Sequence, residues 1–127
     1  MKMKTLFLLP ILLLSLISCS SETDSVVERD GLYYEKFSDT PFTGKLTRYS
    51  DDGQLLEKGS FKNGVREGEY VFYWSREGWN GPVPTGLGRK GRYKNGKEEG
   101  EWVYYNEDGT VISRWTGTYK YGGKISD

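Results

Sequence analysis

The sequence contains no histidine and only one cysteine, Cys19. Without histidine, the chain lacks the usual catalytic base and the usual metal ligand. A single cysteine excludes an intramolecular disulfide, and these residues can form neither a thiol–imidazole pair nor a serine triad. We therefore predict a protein that is not an enzyme and that uses no metal and no cofactor.

An excess of charge of one sign is also missing, because 18 Lys and Arg residues are balanced by 18 Asp and Glu residues. Lys2 and Lys4 are the only charged residues among the first 18, so the rest of the chain has a formal net charge of about −2. A chain with this charge has no overall field that would gather nucleic acid. We expect no nucleic-acid partner.

Long aliphatic residues are scarce after residue 30, where glycine and aromatic residues are concentrated. All 17 glycines and 18 of the 19 aromatic residues lie in this span. Disordered chains are poor in aromatic residues, and glycine inside a helix costs about 1 kcal/mol relative to alanine. Glycine together with Tyr, Trp, Phe, Thr and Val is typical of strands and tight turns. The span is therefore predicted to be all-β.

The first 18 residues have the layout of a signal peptide. Lys2 and Lys4 give a positive start, an apolar run extends from Leu6 to Ile17, and a small residue follows. The run has about a dozen residues, whereas a helix that spans a bilayer needs about 20. We therefore predict a cleaved N-terminal signal helix over residues 1–18.

Residues 16–19, Leu-Ile-Ser-Cys, resemble the bacterial lipobox, in which a small residue precedes a cysteine that becomes the acylated first residue. The resemblance implies cleavage before Cys19 and diacylglycerol on its sulfur, usually with a third acyl chain, so that Cys19 binds the lipid bilayer. Two or more acyl chains hold a protein stably on a membrane. The alternative is a simple secretory cut site. Because Ser20 and not Asp follows, the resemblance implies the outer membrane if the source is Gram-negative.

Residues 20–29 are polar and have no convincing period. Together with Cys19 they are predicted to form a lipidated, flexible tether over residues 19–29. Such a tether would let the domain stand off the lipid surface. A single repeat domain is predicted over residues 30–127.

Residues 59–73 and 91–105 are two copies of one pattern, GSFKNGVREGEYVFY and GRYKNGKEEGEWVYY, with more than half of the positions identical. A partial third copy begins at Gly117, and a degenerate earlier copy occupies residues 31–49. An insertion within residues 79–88 lengthens one of the intervals between copies. Self-similarity of this kind indicates repeated units that share a core.

Each unit can be built as a hairpin. Asn-Gly at 63–64 and 95–96 supplies the positive φ of a two-residue hairpin turn. Residues 50–53 and 106–109 suit type I turns that end in glycine. We predict an elongated antiparallel meander of about seven strands in a single layer. In this sheet, glycines at fixed positions let large rings lie across the neighbouring strand.

The pattern resembles the variant MORN repeat family, whose units read roughly G-x-Tyr-x-x-G-x-x-x-G-x-Trp-x-x-Tyr. The resemblance covers about residues 30–127, and residues 29–34 and 41–44 are similar to the N-terminal cap of that family. It implies a MORN-like single-layer β sheet. Many members of the family are described as antitoxin components.

Aromatic side chains are the candidate contact residues, because Tyr and Trp give contact area at low entropic cost. Alternation along the strand places Trp102 and Tyr104 on one face of the sheet. The candidate binding residues are Trp102, Tyr104, Tyr70 and Phe72 of the repeats and Trp79 of the insertion. The competing interpretation is that the repeat rings form the core and that Trp79 lies against the sheet.

Three functions fit these features. The leading hypothesis is a membrane-anchored, non-catalytic module that binds a protein partner at the cell envelope. The first alternative is binding of cell-wall or glucan carbohydrate, since residues 100–109 also resemble choline- and glucan-binding repeats. The second is an antitoxin or immunity protein, which a toxin-like gene beside this one would favour.

Overall fold

The computed structural model describes residues 21–75 and 86–127, and within these ranges it contains eleven β-strands and no helix. The strands are β1 (Ser21–Thr23), β2 (Val26–Arg29), β3 (Leu32–Glu35), β4 (Gly44–Tyr49), β5 (Leu55–Lys62), β6 (Val65–Arg66), β7 (Gly68–Tyr73), β8 (Leu87–Lys94), β9 (Lys97–Tyr104), β10 (Gly117–Lys120) and β11 (Gly123–Ser126). The predicted all-β fold is confirmed. The strand count exceeds seven because short strands of two to four residues are added to the repeat hairpins. The predicted signal helix over residues 1–18, Cys19 and Trp79 lie outside the described residues.

One sheet of nine strands contains most of the domain, in the order β1-β4-β5-β7-β8-β9-β10-β11, with β6 paired to β5. All of its neighbouring strands are antiparallel except β1 and β4, which are parallel. From β4 onward, the strands follow one another across the sheet in chain order. This is the predicted meander. The hairpin of β2 and β3 forms a separate two-stranded sheet.

Residues 21–29 differ from the flexible tether expected for this segment. In β1, Ser21 pairs with Gly44, so that these residues extend the edge of the main sheet. In β2, Val26 pairs with Glu35 and also contacts the apolar core. The apolar side chain of Val26 explains the difference, because burying it against the core offsets the entropy lost when the segment is ordered.

The hairpin turns have the geometry that their residues require. Asn63 and Gly64 have φ values of 50° and 78°, and Asn95 and Gly96 have 51° and 80°. Positive φ at both central residues defines the type I′ turn, which matches the twist of the flanking strands. At residues 106–109 the amide of the final glycine donates to the first carbonyl at 3.0 Å, and residues 50–53 show the same bond at 2.9 Å. Both predicted turn types are therefore confirmed.

Successive turns are joined by a repeated pair of hydrogen bonds. Asn95 N donates to Glu67 Oε2 at 2.9 Å, and Gly96 N donates to the Arg66 carbonyl at 2.9 Å. The equivalent pairs join Asn63 to Thr43 and Gly64 to Phe42, and Tyr121 to Glu99 and Gly122 to Glu98. Each turn is therefore held by the repeat before it, which explains how single hairpins of marginal stability form one sheet.

The large side chains at one repeat position form the buried centre of the sheet. Leu46, Tyr70 and Trp102 are 2%, 3% and 0% exposed. Each pairs with the first glycine of the following repeat copy: Gly59, Gly91 and Gly117 in turn. We call the face that carries Leu46, Tyr70 and Trp102 the inner face.

Candidate functional site

The β2–β3 hairpin covers the N-terminal part of the inner face. Val26 and Tyr33 from the hairpin contact a buried cluster of Phe42, Leu46 and Phe61. The ring centroids of Tyr33 and Phe61 are 5.0 Å apart. This cluster is the covered end of the inner face.

A buried charge network fills the middle of the inner face. The Glu57 carboxylate, on a residue that is 8% exposed, accepts hydrogen bonds from Arg48 at 3.0 and 3.2 Å, from Arg66 at 3.4 Å and from the Tyr70 hydroxyl at 2.8 Å. The Arg66 guanidinium also lies 4.9–5.6 Å from the ring centroids of Tyr33, Phe61, Tyr70 and Tyr93. A buried carboxylate is stable only when it is paired, and cations favour aromatic faces. The charged groups and the rings of this network therefore pair with and pack against one another inside the fold.

The C-terminal part of the inner face contains an open groove with a volume of about 880 Å³. Six aromatic residues line it: Phe72, Trp74, Tyr104, Tyr105, Trp115 and Tyr119. The polar residues in its lining are Arg89, Glu98, Asn106, Glu107 and Asp108. A concave aromatic surface with a few polar groups is the usual form of a binding site. We take this groove as the candidate functional site.

Tyr104 on β9 lies between two groups of rings. On one side it is near Trp115 and Tyr119, at centroid distances of 6.1 and 6.3 Å. On the other side, across β8, Phe72 and Trp74 meet edge to face at 5.7 Å. The strand order β7-β8-β9-β10 produces this arrangement, because neighbouring strands bring residues from distant sequence positions side by side.

Hydrogen bonds hold three of these rings in place. The Trp74 indole Nε1 donates to the Tyr105 carbonyl at 3.2 Å, which joins the two sides of the groove. The Tyr119 hydroxyl donates to the Trp115 carbonyl at 2.6 Å. The Tyr104 hydroxyl donates to Glu98 Oε1 at 3.1 Å. Rings that are fixed in this way lose little entropy when a ligand binds.

The groove carries both signs of charge. Burial raises the pKa of the Tyr104 hydroxyl above its ordinary value, and the adjacent Glu98 carboxylate raises it further. The exposed Asp108 carboxylate accepts hydrogen bonds from the Thr110 hydroxyl and amide, which lower the pKa of Asp108. Arg89 lies over the Tyr70 ring, 5.2 Å from its centroid. At neutral pH, Tyr104 is therefore a hydrogen-bond donor and Asp108 is an anion.

The predicted contact residues are divided between core and groove. Trp102 and Tyr70 are buried and present no contact surface, because their rings lie across the backbone of a neighbouring strand. Tyr104 and Phe72 line the groove. Trp79 lies outside the described residues.

Sequence reasoning did not single out Trp74, Trp115 or Tyr119. Trp74 directly follows the repeat that ends at Tyr73, and Trp115 stands two residues before the third copy. A tryptophan just outside a repeat boundary was the available signal. These three residues lie in one groove because of the strand order, and the pattern of one repeat does not predict that order.

Comparisons with family models, with curated proteins and with solved structures found no match for this chain. No family is assigned on that basis, and the resemblance to MORN repeats stays a prediction. Across residues 21–75 and 86–127, no helix has the length and apolar character needed to cross a membrane.

Proposed function

We propose that this chain is a lipid-anchored, non-catalytic interaction module of the bacterial cell envelope, and that its groove binds a segment of a partner protein. The aromatic lining of the groove is the observation that carries the proposal. Trp115 is 44% exposed beside the half-buried Tyr104 and Tyr119. Tyr and Trp dominate the energetic centres of protein interfaces, because they bury large areas and lose little side-chain entropy.

The position of Ser21 supports an anchor that leaves the groove accessible. Cys19 is two residues before Ser21, so the two Cα atoms are at most about 7 Å apart. Ser21 lies beside β4, and four strand spacings separate β4 from β9, which amounts to about 19 Å. Acyl chains on Cys19 would therefore lie near one edge of the sheet and away from the groove. The lipobox resemblance and the MORN-like repeats support the same proposal.

The anchor is tested with Cys19→Ala in the full chain. We expect the variant to lose acyl labelling and to move from the membrane fraction to the soluble fraction. Its far-UV circular dichroism and denaturation midpoint, compared with those of the wild-type domain, report whether it still folds. An unchanged membrane fraction would overturn the lipid-anchor part of the proposal.

The groove is tested by crosslinking in intact cells, followed by affinity purification. Trp115→Ala removes an exposed ring from the groove, and we expect it to reduce recovery of crosslinked partners. Tyr49→Ala is the matched control, because Tyr49 is 57% exposed and is not among the groove residues. If the two variants recover the same proteins in the same amounts as the wild type, the groove is not the binding site.

Carbohydrate binding is the second candidate, and one feature of the groove favours it. The rings of Trp74, Tyr104 and Trp115 lie beside polar Asn106 and Arg89, a combination that suits stacking and hydrogen bonding to a sugar. A pull-down with purified peptidoglycan and with glucan separates the two functions. Retention that Trp115→Ala abolishes would favour carbohydrate, and a clean negative would leave the protein partner.

A further inference from the structure

The two complete repeats carry opposite charges at equivalent positions on the inner face. Arg66 is the seventh residue after Gly59, and Glu98 is the seventh residue after Gly91. Two residues before each glycine the charges are also exchanged, since Glu57 precedes the first and Arg89 the second. At these two positions the second repeat therefore carries the charges of the first with their signs reversed.

In the first repeat the charges neutralise one another. Arg66 Nη1 is 3.4 Å from Glu57 Oε1, and the guanidinium lies within 5.6 Å of four ring centroids, including those of Tyr70 and Tyr93. This arrangement shows that the inner face accommodates an arginine side chain between aromatic rings when a carboxylate is beside it. Planar guanidinium groups are well suited to such stacking.

In the second repeat the charges stay apart. Glu98 and Arg89 form no ion pair, and among the described residues Glu98 has no cation within salt-bridge distance. Its carboxylate accepts a hydrogen bond from the Tyr104 hydroxyl at 3.1 Å. Arg89 instead lies over Tyr70, with Nη2 3.5 Å from the Tyr70 hydroxyl. Among the described residues, the Glu98 carboxylate therefore has no salt-bridge partner, although Arg66 lines a smaller cavity together with it.

The remaining charges of the groove have the same sign as Glu98. Glu107 and Asp108 lie in the turn at the end of β9, so the part of the lining that the structure describes contains three carboxylates and one guanidinium, that of Arg89. The rings of Tyr104 and Tyr119 line the same groove as Glu98, and no Lys or Arg side chain among the described residues lies over either of them. Both the negative field and the electron-rich aromatic rings favour a cation.

We infer that the groove binds an arginine side chain of the partner segment, with its guanidinium against the Glu98 carboxylate and beside the rings of Tyr104 and Tyr119. Glu107 and Asp108 attract the same basic segment from the other end of the groove. The inference rests on the proposed function, because it names the chemistry of the partner for that site. The arginine of the partner would supply the cation at Glu98, as Arg66 supplies the cation within the preceding repeat.

The test uses the lipidated full chain in detergent micelles and two short peptides. Both are glycine–serine peptides that differ at one central residue, arginine in the first and its neutral isostere citrulline in the second. Titrations are followed by the indole N–H signals in NMR spectra. We expect the arginine peptide to bind about tenfold more tightly, since a charge-assisted bond of about 1.4 kcal/mol corresponds to that factor. Added salt should reduce the difference.

Glu98→Gln removes the charge and keeps an oxygen that can accept from the Tyr104 hydroxyl. We expect it to weaken binding of the arginine peptide about tenfold and to leave the citrulline peptide unchanged. Glu69→Gln is the matched control, because the side chain of Glu69 is 85% exposed and does not line the groove. If Glu98→Gln impairs folding, Glu107→Gln with Asp108→Asn tests the same preference with a smaller expected loss.

Equal affinity of the two peptides, or no loss of selectivity in the charge variants, would overturn the arginine inference. The proposed function would stand apart from this result, because partner recovery that depends on Trp115 does not require an arginine. Conversely, selective binding of the arginine peptide by a protein that recovers no partner in cells would leave the site chemistry in place and remove the protein-partner function.

Discussion

The indole ring of Trp102 lies directly across the backbone of Gly91. A Cβ atom on Gly91 would be 2.2 Å from Trp102 Cδ2, closer than any unstrained contact allows. The ring is 0% exposed, and its Nε1 donates to the Arg92 carbonyl at 3.0 Å. Tyr70 has the same relationship to Gly59, at a looser 3.1 Å. The glycine that begins each repeat therefore makes the space for the large ring of that repeat.

Gly91→Ala is expected to destabilise the domain by about 2–3 kcal/mol, because the new methyl group must displace a ring that has no free space. Gly59→Ala is the matched comparison and should cost about 1 kcal/mol, since only a small shift of the Tyr70 ring is needed. Urea unfolding followed by tryptophan fluorescence measures both. Equal losses in the two variants would show that ring contact does not determine the need for glycine.

Glu67→Ala should destabilise the domain by about 1 kcal/mol, because it removes the side-chain acceptor of the Asn95 amide at the junction between repeats. Glu67→Gln keeps an acceptor oxygen at the same place and should lose less than about 0.5 kcal/mol. Hydrogen exchange of the Asn95 amide reports the same bond directly. Similar exchange rates in Glu67→Ala and in the wild type would contradict this role.

Glu57→Gln is expected to cost about 2–4 kcal/mol, since it leaves the Arg66 guanidinium inside the aromatic cluster without its buried carboxylate. Glu69→Gln is the control for loss of one carboxylate, because its pair with Arg92 is exposed on both sides and should contribute less than about 0.5 kcal/mol. The measurement is the free energy of unfolding in urea. A small loss in Glu57→Gln would mean that the cluster is held by its rings alone.

Stability should fall as the pH rises from about 10 to about 12, and Tyr70 is one cause. Burial raises the pKa of its hydroxyl from 10.0 to about 12 in the folded state. Between pH 10 and about pH 12 the unfolded chain ionises this group while the folded chain keeps it protonated, so its contribution is complete below pH 10 and is lost progressively as the pH rises to about 12. Tyr70→Phe should therefore show a flatter loss of stability between about pH 10 and pH 12 than the wild type. Identical slopes would contradict this.

The turns, and the face of the sheet on which each side chain lies, could be predicted from the sequence because both are local properties. Asn63-Gly64 and Asn95-Gly96 need positive φ at both residues, and few other dipeptides accept it. Alternation along β9 correctly places Trp102 and Tyr104 on one face, where their rings stack at 5.9 Å. Tyr121 is an exception to this preference for Asn-Gly, since it adopts a φ of 52° in the same kind of turn.

The pairing of residues 21–29 could not be read locally. The parallel contact of Ser21 with Gly44 joins segments separated by more than twenty residues, and polarity alone suggested a free tether. The same holds for Trp74, which follows β7, and Trp115, which precedes β10: both line one groove because the sheet order is β7-β8-β9-β10. Non-local pairing depends on which apolar surfaces pack together, and the sequence of a single repeat does not specify those contacts.

Two residues of β9 show where local pattern ends and tertiary structure begins. The repeat, the glycine spacing and the turn dipeptides determined that Trp102 and Tyr104 point to the inner face of an antiparallel sheet. Only the tertiary structure determines that Trp102 is buried against Gly91 while Tyr104 lines a groove. The physical reason is that burial depends on what the neighbouring strands and the β2–β3 hairpin cover, and these come from distant parts of the chain.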